Sequence, residues 1–212
     1  MSDTPKSLRN RLLGESVVKA LKERYFDALY CESSSDAINA VLSMIPEKSS
    51  ITWGGSMTIR DIGLTERLKA GDYTVYDRDE AKPEERAEFA KKHFFSDFYL
   101  TSTNALTEDG ILFNIDGMGN RVASMIYGPK NVIVVVGVNK IVKNLDTAVS
   151  RARSIAATTN AQRFNIDTPC KKTGKCADCK SSDCICSYMV ATRMSNPHGR
   201  IKVIIVGEDL GF

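Results

Sequence analysis

The fold is decided by two stretches of the sequence, NVIVVVGV at residues 131–138 and IKVIIVG at residues 201–207. Each is an almost unbroken run of β-branched residues, without the polar alternation of a strand that has one face in water. Such runs are typical of strands that are covered on both faces. They predict the centre of a mainly parallel sheet with a layer on each side.

Shorter apolar runs and helical segments alternate around these two stretches. Strands are also expected over residues 50–53, 73–76, 98–100 and 111–115. Helical spacing is found over residues 57–70, 83–95, 120–127 and 146–159. Strands that alternate with helices indicate an α/β fold, with an open, mainly parallel sheet covered by helices on both faces.

We predict one domain over residues 1–212, because the sequence contains no repeat and no low-complexity linker. Its segments are N-terminal helices (1–48), an α/β core (49–167), a cysteine loop before the last strand (168–188) and final strands (189–212).

Composition and charge exclude several classes of protein. With 212 residues, of which 42% are hydrophobic, the chain can bury a full core. A net charge of +3 with mixed signs is too weak for a nucleic-acid surface. No apolar run approaches the roughly 20 residues that span a bilayer, and the N-terminus lacks the apolar core of a secretory signal. We expect a cytoplasmic protein that binds neither nucleic acid nor membrane.

A glycine pair follows the first core strand, in ITWGGSMTIRDIGL at residues 51–64. Gly54 and Gly55 form a tight turn, and a helix opens at Ser56. Free N–H groups at such a junction suit phosphate or carboxylate, and Ser56 and Thr58 add hydroxyl donors. The alternative is a plain strand–helix turn, in which Gly55 relieves strain and Ser56 caps the helix.

Polar side chains also gather in LTSTNALTEDGILFNIDGMGNR at residues 100–121, where successive strands end. Ligands of open α/β sheets settle at the carboxyl ends of strands. Asn104 is a candidate hydrogen-bonding group and Arg121 a candidate anion partner, while Glu108 and Asp116 are candidates for a base or nucleophile. The alternative is that both turns only close a hairpin and cap a helix, since turns favour the same residue types.

Five of the six cysteines lie close together, in TPCKKTGKCADCKSSDCICSYM at residues 168–189. In a reducing compartment, clustered thiols bind metal or do redox chemistry more often than they form structural disulfides. Four thiolates suffice for a tetrahedral zinc ion or a 4Fe–4S cluster. The spacing matches neither a zinc ribbon nor a ferredoxin run, so iron–sulfur, zinc, and free or disulfide-forming thiols all stay open. The distant Cys31 is expected to be a buried thiol.

The two histidines, His93 and His198, have no Ser or Cys nucleophile placed beside them by the sequence. We therefore expect no catalytic dyad. Trp53 directly precedes the glycine pair, and we expect it to belong to the core.

Three of the stretches quoted above together resemble the LUD-domain family. They are TWGGSMTIRDIGL, the region from TSTNALTEDG to the strand NVIVVVG, and the cysteine stretch. This family is named for bacterial lactate-utilisation proteins, and the chain is similar to its short bacterial branch that carries the cysteine loop. The resemblance covers essentially the whole chain. It implies a fold similar to the NagB/ribose-5-phosphate isomerase/coenzyme-A-transferase group, whose glycine-rich loops hold phosphorylated sugars or coenzyme A.

The resemblance also assigns residues to sites. The phosphate loop would comprise Gly54, Gly55, Ser56 and Thr58. The second ligand wall would comprise Asn104 and the segment from Asp116 to Asn120, which includes Gly117 and Gly119, next to the candidate anion partner Arg121. The metal ligands would be Cys170, Cys176, Cys179 and Cys186, because Cys184 stands where relatives commonly carry another residue. The coenzyme-A transferases use a covalent glutamate, but the surroundings of Glu108 do not match that motif closely, so no catalytic residue is assigned.

The function implied by the resemblance lies in organic-acid metabolism, in the oxidation of lactate to pyruvate by a complex with iron–sulfur subunits. We expect a small anionic or phosphorylated ligand, a 4Fe–4S cluster or zinc in the cysteine loop, and a role in assisting electron transfer. One alternative is a non-catalytic accessory subunit that docks an iron–sulfur oxidoreductase. Another is a stand-alone sugar-phosphate isomerase or acyl-CoA enzyme. A homo-oligomer is compatible with each hypothesis.

Overall fold

The computed structural model describes residues 4–77, 80, 82, 84, 89, 92 and 94–212. The helix predicted over residues 83–95 falls largely outside this described part of the chain, and so does His93.

The strands in the described part are β1 (Asp27–Cys31), β2 (Ser50–Trp53), β3 (Thr74–Tyr76), β4 (Phe98–Thr101), β5 (Ala105–Thr107), β6 (Leu112–Asp116), β7 (Asn131–Gly137), β8 (Ile141–Val142), β9 (Tyr188–Thr192) and β10 (Ile201–Val206). The helices are α1 (Pro5–Glu23), α2 (Ser34–Met44), α3 (Met57–Asp61), α4 (Leu64–Lys69), α5 (Asn120–Tyr127), α6 (Leu145–Arg151), α7 (Thr158–Ala161) and α8 (Pro169–Thr173). A 3₁₀ turn (Val138–Lys140) follows β7, and a π-helical segment (Ala152–Ala157) joins α6 to α7.

Six parallel strands form the main sheet, in the order β1-β10-β7-β4-β2-β3. Its centre is the pair β10 and β7, the two apolar runs, which are in register from Ile201 opposite Val132 to Val206 opposite Gly137. The predicted α/β fold with a mainly parallel sheet is therefore confirmed.

Both faces of this sheet are buried, and the side chains of β7 show how. Ile133 and Val135 pack with apolar residues of α2, α3 and α4. Val132, Val134 and Val136 point to the other face and pack with α1, α5 and strands β5 and β6. Since successive side chains of a strand point to opposite faces, a doubly covered strand has to be apolar at every position.

The segment at residues 1–48, predicted to be helical, contains strand β1. Helix α1 ends at Glu23, and Tyr25 then adopts a left-handed conformation with φ of 63°. The chain next pairs with β10 as a strand at the edge of the main sheet. The helical spacing of Tyr25 and Leu29 suggested a continuing helix, but the pairing with β10 overrides that local pattern.

A second, four-stranded sheet in the order β8-β5-β6-β9 was not predicted. It covers one face of the main sheet together with α1 and α5, so helices alone do not cover that face. Strands of two to five residues cannot be distinguished from turns by periodicity. Strand β9 follows the cysteine loop and pairs antiparallel with β6, with Tyr188 opposite Asp116. This pairing brings the cysteine loop to the end of β6.

Trp53 is 1% exposed and Cys31 is a buried free thiol, so both predictions are confirmed. In the residues that the structure describes, no helix has the length and apolar character needed to cross a bilayer.

Candidate functional site

A pocket of about 90 Å³ opens where the main-sheet strands β2, β4 and β7 end. The turns that follow these strands bring the first glycine loop, the segment Ser102 to Asn104, and Lys140 to its wall. Because neighbouring parallel strands end at the same edge of a sheet, side chains distant in sequence meet there. The π-helical segment closes the pocket with Ala156 and Ala157.

The two glycines of the first loop have different surroundings. A Cβ on Gly54 would lie 2.5 Å from the Tyr99 hydroxyl and 3.3 Å from the Arg121 side chain. Gly54 is thus needed for close packing. A Cβ on Gly55 would meet nothing within 4 Å, and this glycine lines the pocket. Of the two, Gly55 is the one placed beside a ligand.

Ser56 lines the same pocket and has a buried hydroxyl without a partner. Ser56 is 8% exposed, and its Oγ has no hydrogen-bond partner among the described residues. Ser56 stands at the N-cap position of α3, as the alternative interpretation of the glycine loop expected, but its side chain makes no capping hydrogen bond. A buried hydroxyl that lacks a hydrogen bond is costly, and a ligand in the pocket would satisfy it. Helix α3 has only five residues, so its dipole adds little to the side chains.

Arg121 extends from α5 to the pocket and is held by neutral oxygens. Its Nη1 donates to Asn114 Oδ1 at 2.7 Å, and its Nη2 donates to Asn104 Oδ1 at 3.1 Å and to the Ile115 carbonyl. The nearest carboxylate oxygen, Asp116 Oδ2, lies 4.0 Å from Nε. The guanidinium is therefore fixed in place without a close bidentate carboxylate. Asn104, which also lines the pocket, helps to position it.

Both acidic candidates for a base or nucleophile have other partners. The carboxylate of Asp116 accepts four backbone N–H bonds, from Met118, Gly119, Arg121 and Val122. It therefore caps the start of α5. Glu108 forms an ion pair with Lys143 at 2.8 Å, and it does not line the pocket. In this structure Asp116 therefore serves as a helix cap and Glu108 as one member of an ion pair, and their role as base or nucleophile stays a prediction.

The remaining residues of the predicted second wall, Gly117, Gly119 and Asn120, do not line the pocket. A Cβ on Gly117 would lie 3.3 Å from the backbone of Ile185. Gly119 has φ of +79°, which favours glycine, and its α-carbon faces the Tyr188 ring. Asn120 is the first residue of α5. Gly117 and Gly119 thus lie close to Ile185 and Tyr188, beside the end of β6.

Lys140 is the pocket residue that sequence reasoning missed. It is 2% exposed, and its Nζ donates to Thr58 Oγ1 at 2.8 Å and to Ser102 Oγ at 3.2 Å. Burial, with Arg151 and Arg121 nearby, lowers its pKa to about 7, against a smaller opposite effect of Asp61. The only signal in the sequence is its place three residues after a fully buried strand, at the sheet edge where ligands bind.

Arg151 supports the pocket from behind. Its Nε donates to the Asn139 carbonyl at 3.2 Å and its Nη1 to the Asn104 carbonyl, and burial lowers its pKa. Among the described residues that line the pocket, two are basic, Arg121 and Lys140, and none is Asp or Glu. The potential inside is therefore positive, which favours an anion.

A second cavity, of about 50 Å³, is lined by all five clustered cysteines. It shares Ala157 and Ile185 with the anion pocket, so the two cavities lie on either side of one thin wall. All six cysteines of the chain are free thiols.

The thiols of the second cavity interact electrostatically. Burial raises the pKa of Cys186 to about 12, with further contributions from Cys184, Cys176 and Cys170. Arg153 places Nη2 3.6 Å from Cys176 Sγ, within reach of a hydrogen bond to the sulfur. These soft donors suit zinc or iron–sulfur. Even so, in the described part of the chain no three or more His, Cys, Asp or Glu side chains are arranged to hold a metal ion.

We expect Lys140 to make stability depend on pH. Its pKa is about 7 in the folded protein and near its ordinary 10.5 in the unfolded chain, so the unfolded state binds more protons between these values. The free energy of unfolding should therefore rise as the pH increases from about 7 to about 10.5. Below pH 7 the buried lysine is protonated, and its full destabilising effect is present. In urea titrations, Lys140→Met should remove this rise. The exposed Lys19→Met should keep it, and an equal slope in wild type and Lys140→Met would contradict the assignment.

Comparisons with known proteins agree with this architecture. The LUD domain family model matches residues 14–206. A DUF162 family protein from Deinococcus radiodurans, solved at 1.70 Å, is similar with a TM-score of 0.56 and 13% identity, over 93% of this chain and 98% of that chain. Ribose 5-phosphate isomerase A from Methanocaldococcus jannaschii gives a TM-score of 0.34 and 17% identity, over 60% of this chain and 65% of that chain, which is too low to support an inference. No curated protein sequence matches. Because the family match spans nearly the whole length, the chain belongs to the LUD-domain family.

Proposed function

We propose that this protein binds a small organic-acid anion in the pocket at the end of the main sheet, and that it assists electron transfer in organic-acid metabolism. The observation that carries the proposal is a buried pocket with Arg121 and Lys140 in its wall and no acidic residue among the described lining residues. The unpartnered Ser56 hydroxyl supplies a hydrogen-bond donor at the same place. Membership of the LUD family supports a lactate-type acid.

The volume of the pocket limits the size of the ligand that can bind. A volume of about 90 Å³ suits a short carboxylate or a single phosphate group. Ligand pockets for larger molecules are typically about 300–1,000 Å³. Polar hydroxyl and amide groups from Ser56, Asn104 and Asn160 surround the two cations and can orient a small polar anion.

The cysteine loop would hold a thiolate-ligated metal centre through Cys170, Cys176, Cys179 and Cys186. These four thiols line one cavity, so the type of donor fits, and the sulfurs would have to draw together around the ion. An iron–sulfur cluster would supply one-electron transfer, whereas zinc would act as a structural clip. The thin wall of Ala157 and Ile185 would then separate the metal centre from the bound acid. Such a thiol site suits the reducing cytoplasm.

A second candidate function is that of an accessory subunit, which docks an iron–sulfur oxidoreductase through the cysteine loop. Large apolar side chains beside the loop are exposed, since Met118 is 84% exposed, Tyr188 49% and Met189 45%. Turnover that requires an added partner subunit would favour this candidate over activity of the isolated chain.

We expect Gly55→Asp to abolish anion binding. The new carboxylate would occupy open space at the pocket wall, so it would repel an anion without a steric clash. Gly55→Asn is the matched control, because it has the same shape without the charge, and should bind far better than Gly55→Asp. Isothermal titration calorimetry with lactate, pyruvate and phosphate measures the affinities. Equal binding by the Asp and Asn variants would contradict the anion site.

Ser56→Ala tests the same site by removing a proposed contact with the ligand, whereas Gly55→Asp adds a repulsive charge. Its hydroxyl has no protein partner, so its removal should leave the unliganded protein as stable as wild type or more stable by about 1 kcal/mol. Affinity for the anion should fall about tenfold, since one hydrogen bond to a charged group is lost. Unchanged affinity would show that the hydroxyl does not contact the ligand.

Replacing both Cys176 and Cys179 with Ser should abolish metal uptake, because two of the four proposed thiolate ligands are lost. Cys184→Ser is the control and should retain the metal. Iron, zinc and acid-labile sulfide are measured on protein purified without oxygen. A full metal complement in the double variant would exclude the assigned ligands, and wild-type protein without metal would exclude the metal centre.

A further inference from the structure

Lys140 is an amine in an unusual environment. Its Nζ contacts two hydroxyl oxygens, at 2.8 Å and 3.2 Å, and no carboxylate of the described residues pairs with it. The charged groups that act on it are the cations Arg151 and Arg121 and, with a smaller effect, the carboxylate of Asp61. With burial, they lower the pKa of Lys140 to about 7, so that much of the amine is neutral at neutral pH. A neutral lysine amine is a nucleophile, whereas an ammonium is not.

The same pocket carries the groups that would position an electrophile. Arg121 is fixed by Asn114 and Asn104, and its positive charge in the pocket wall attracts a carboxylate. The Ser56 hydroxyl can donate to a second oxygen of the ligand. Because the cavity is only about 90 Å³, an anion in contact with Arg121 also lies close to the Lys140 amine. A carbonyl carbon next to the carboxylate would be held against the nitrogen, the geometry that favours attack.

We propose that Lys140 captures short 2-oxo acids in this pocket as a reversible imine. The inference rests on the proposed function, because it requires the same anion site. It adds a covalent step and restricts the ligand to acids with a carbonyl group beside the carboxylate.

The step balances without an oxidant or a reductant. The lone pair of Nζ attacks the carbonyl carbon and forms a C–N bond, while the π electrons of the C=O bond move to oxygen. That oxygen takes up a proton and the nitrogen loses one, which gives a carbinolamine. The nitrogen lone pair then expels the hydroxyl group, which takes up a proton and leaves as water, and the iminium nitrogen loses its remaining proton to give the neutral imine. One carbonyl group and one amine thus give one imine and one water, and the hydroxyls of Thr58 and Ser102 lie close enough to relay protons.

The arrangement predicts which compounds react. A ketone or aldehyde without a carboxylate lacks the anchor at Arg121. A 2-hydroxy acid has the anchor but no electrophilic carbon, so it should bind without forming a covalent bond. Pyruvate, the shortest stable 2-oxo acid with a ketone, has both groups and is the probe of choice.

The experiment is borohydride trapping of the full chain with pyruvate, with lactate and acetone as parallel probes. Borohydride, added as a reagent, reduces an imine to a stable secondary amine. Peptide mass spectrometry should then find the adduct of pyruvate at Lys140 and none with lactate, with acetone far less reactive. Lys140→Met and Lys140→Arg should lose the adduct completely. Lys143→Met, three residues away on the surface, should retain it.

Calorimetry on the same samples separates this inference from the proposed function. Pyruvate that binds without any adduct at Lys140 would overturn the imine and leave the anion site standing. Absence of both binding and adduct would overturn both. Equal labelling of surface lysines, or labelling that persists in Lys140→Met, would also overturn the imine at Lys140.

Discussion

The burial of β7 on both faces is the constraint on which the rest of this structure depends. A strand enclosed by two apolar layers can carry no polar side chain along its length, so polar groups are confined to its ends. In this chain the strand ends at Gly137, and Lys140 is the first charged residue after it. The neighbouring strands β4 and β2 end at the same edge, with Ser102 and the glycine loop. The pocket is therefore a direct consequence of how the core is built.

Burying positive charge is costly, and most proteins offset the cost with a carboxylate. In this pocket the buried basic side chains donate hydrogen bonds to neutral oxygen atoms instead. Asn114 and Asn104 hold Arg121, hydroxyl groups hold Lys140, and backbone carbonyls hold Arg151. Neutral partners fix the cations in place without cancelling their charge, which leaves a positive potential for a ligand. The carboxylate of Asp116, 4.0 Å from Arg121, is occupied by four backbone N–H groups.

The sequence was informative where a local pattern has one structural solution. The apolar runs of β7 and β10 permit only doubly covered strands, and the glycine loop followed the predicted strand β2. Strand β1 and the second sheet were missed, because their pairing is decided by partners far along the chain. Lys140 was missed for a similar reason, since nothing local marks a lysine as buried. For Asp116 the sequence suggested a role that the structure does not show. An acidic residue in a glycine-rich turn can be a helix cap or a catalytic base, and the sequence pattern is the same in both cases.

The most direct test of the central claim is a crystal structure of the protein grown with a short carboxylic acid. We predict that the ligand lies in the pocket, with its carboxylate beside Arg121, the Ser56 hydroxyl donating to it, and Lys140 within reach. An acid bound elsewhere on the protein, with Ser56 still unpartnered, would contradict the assignment of this pocket as the anion site.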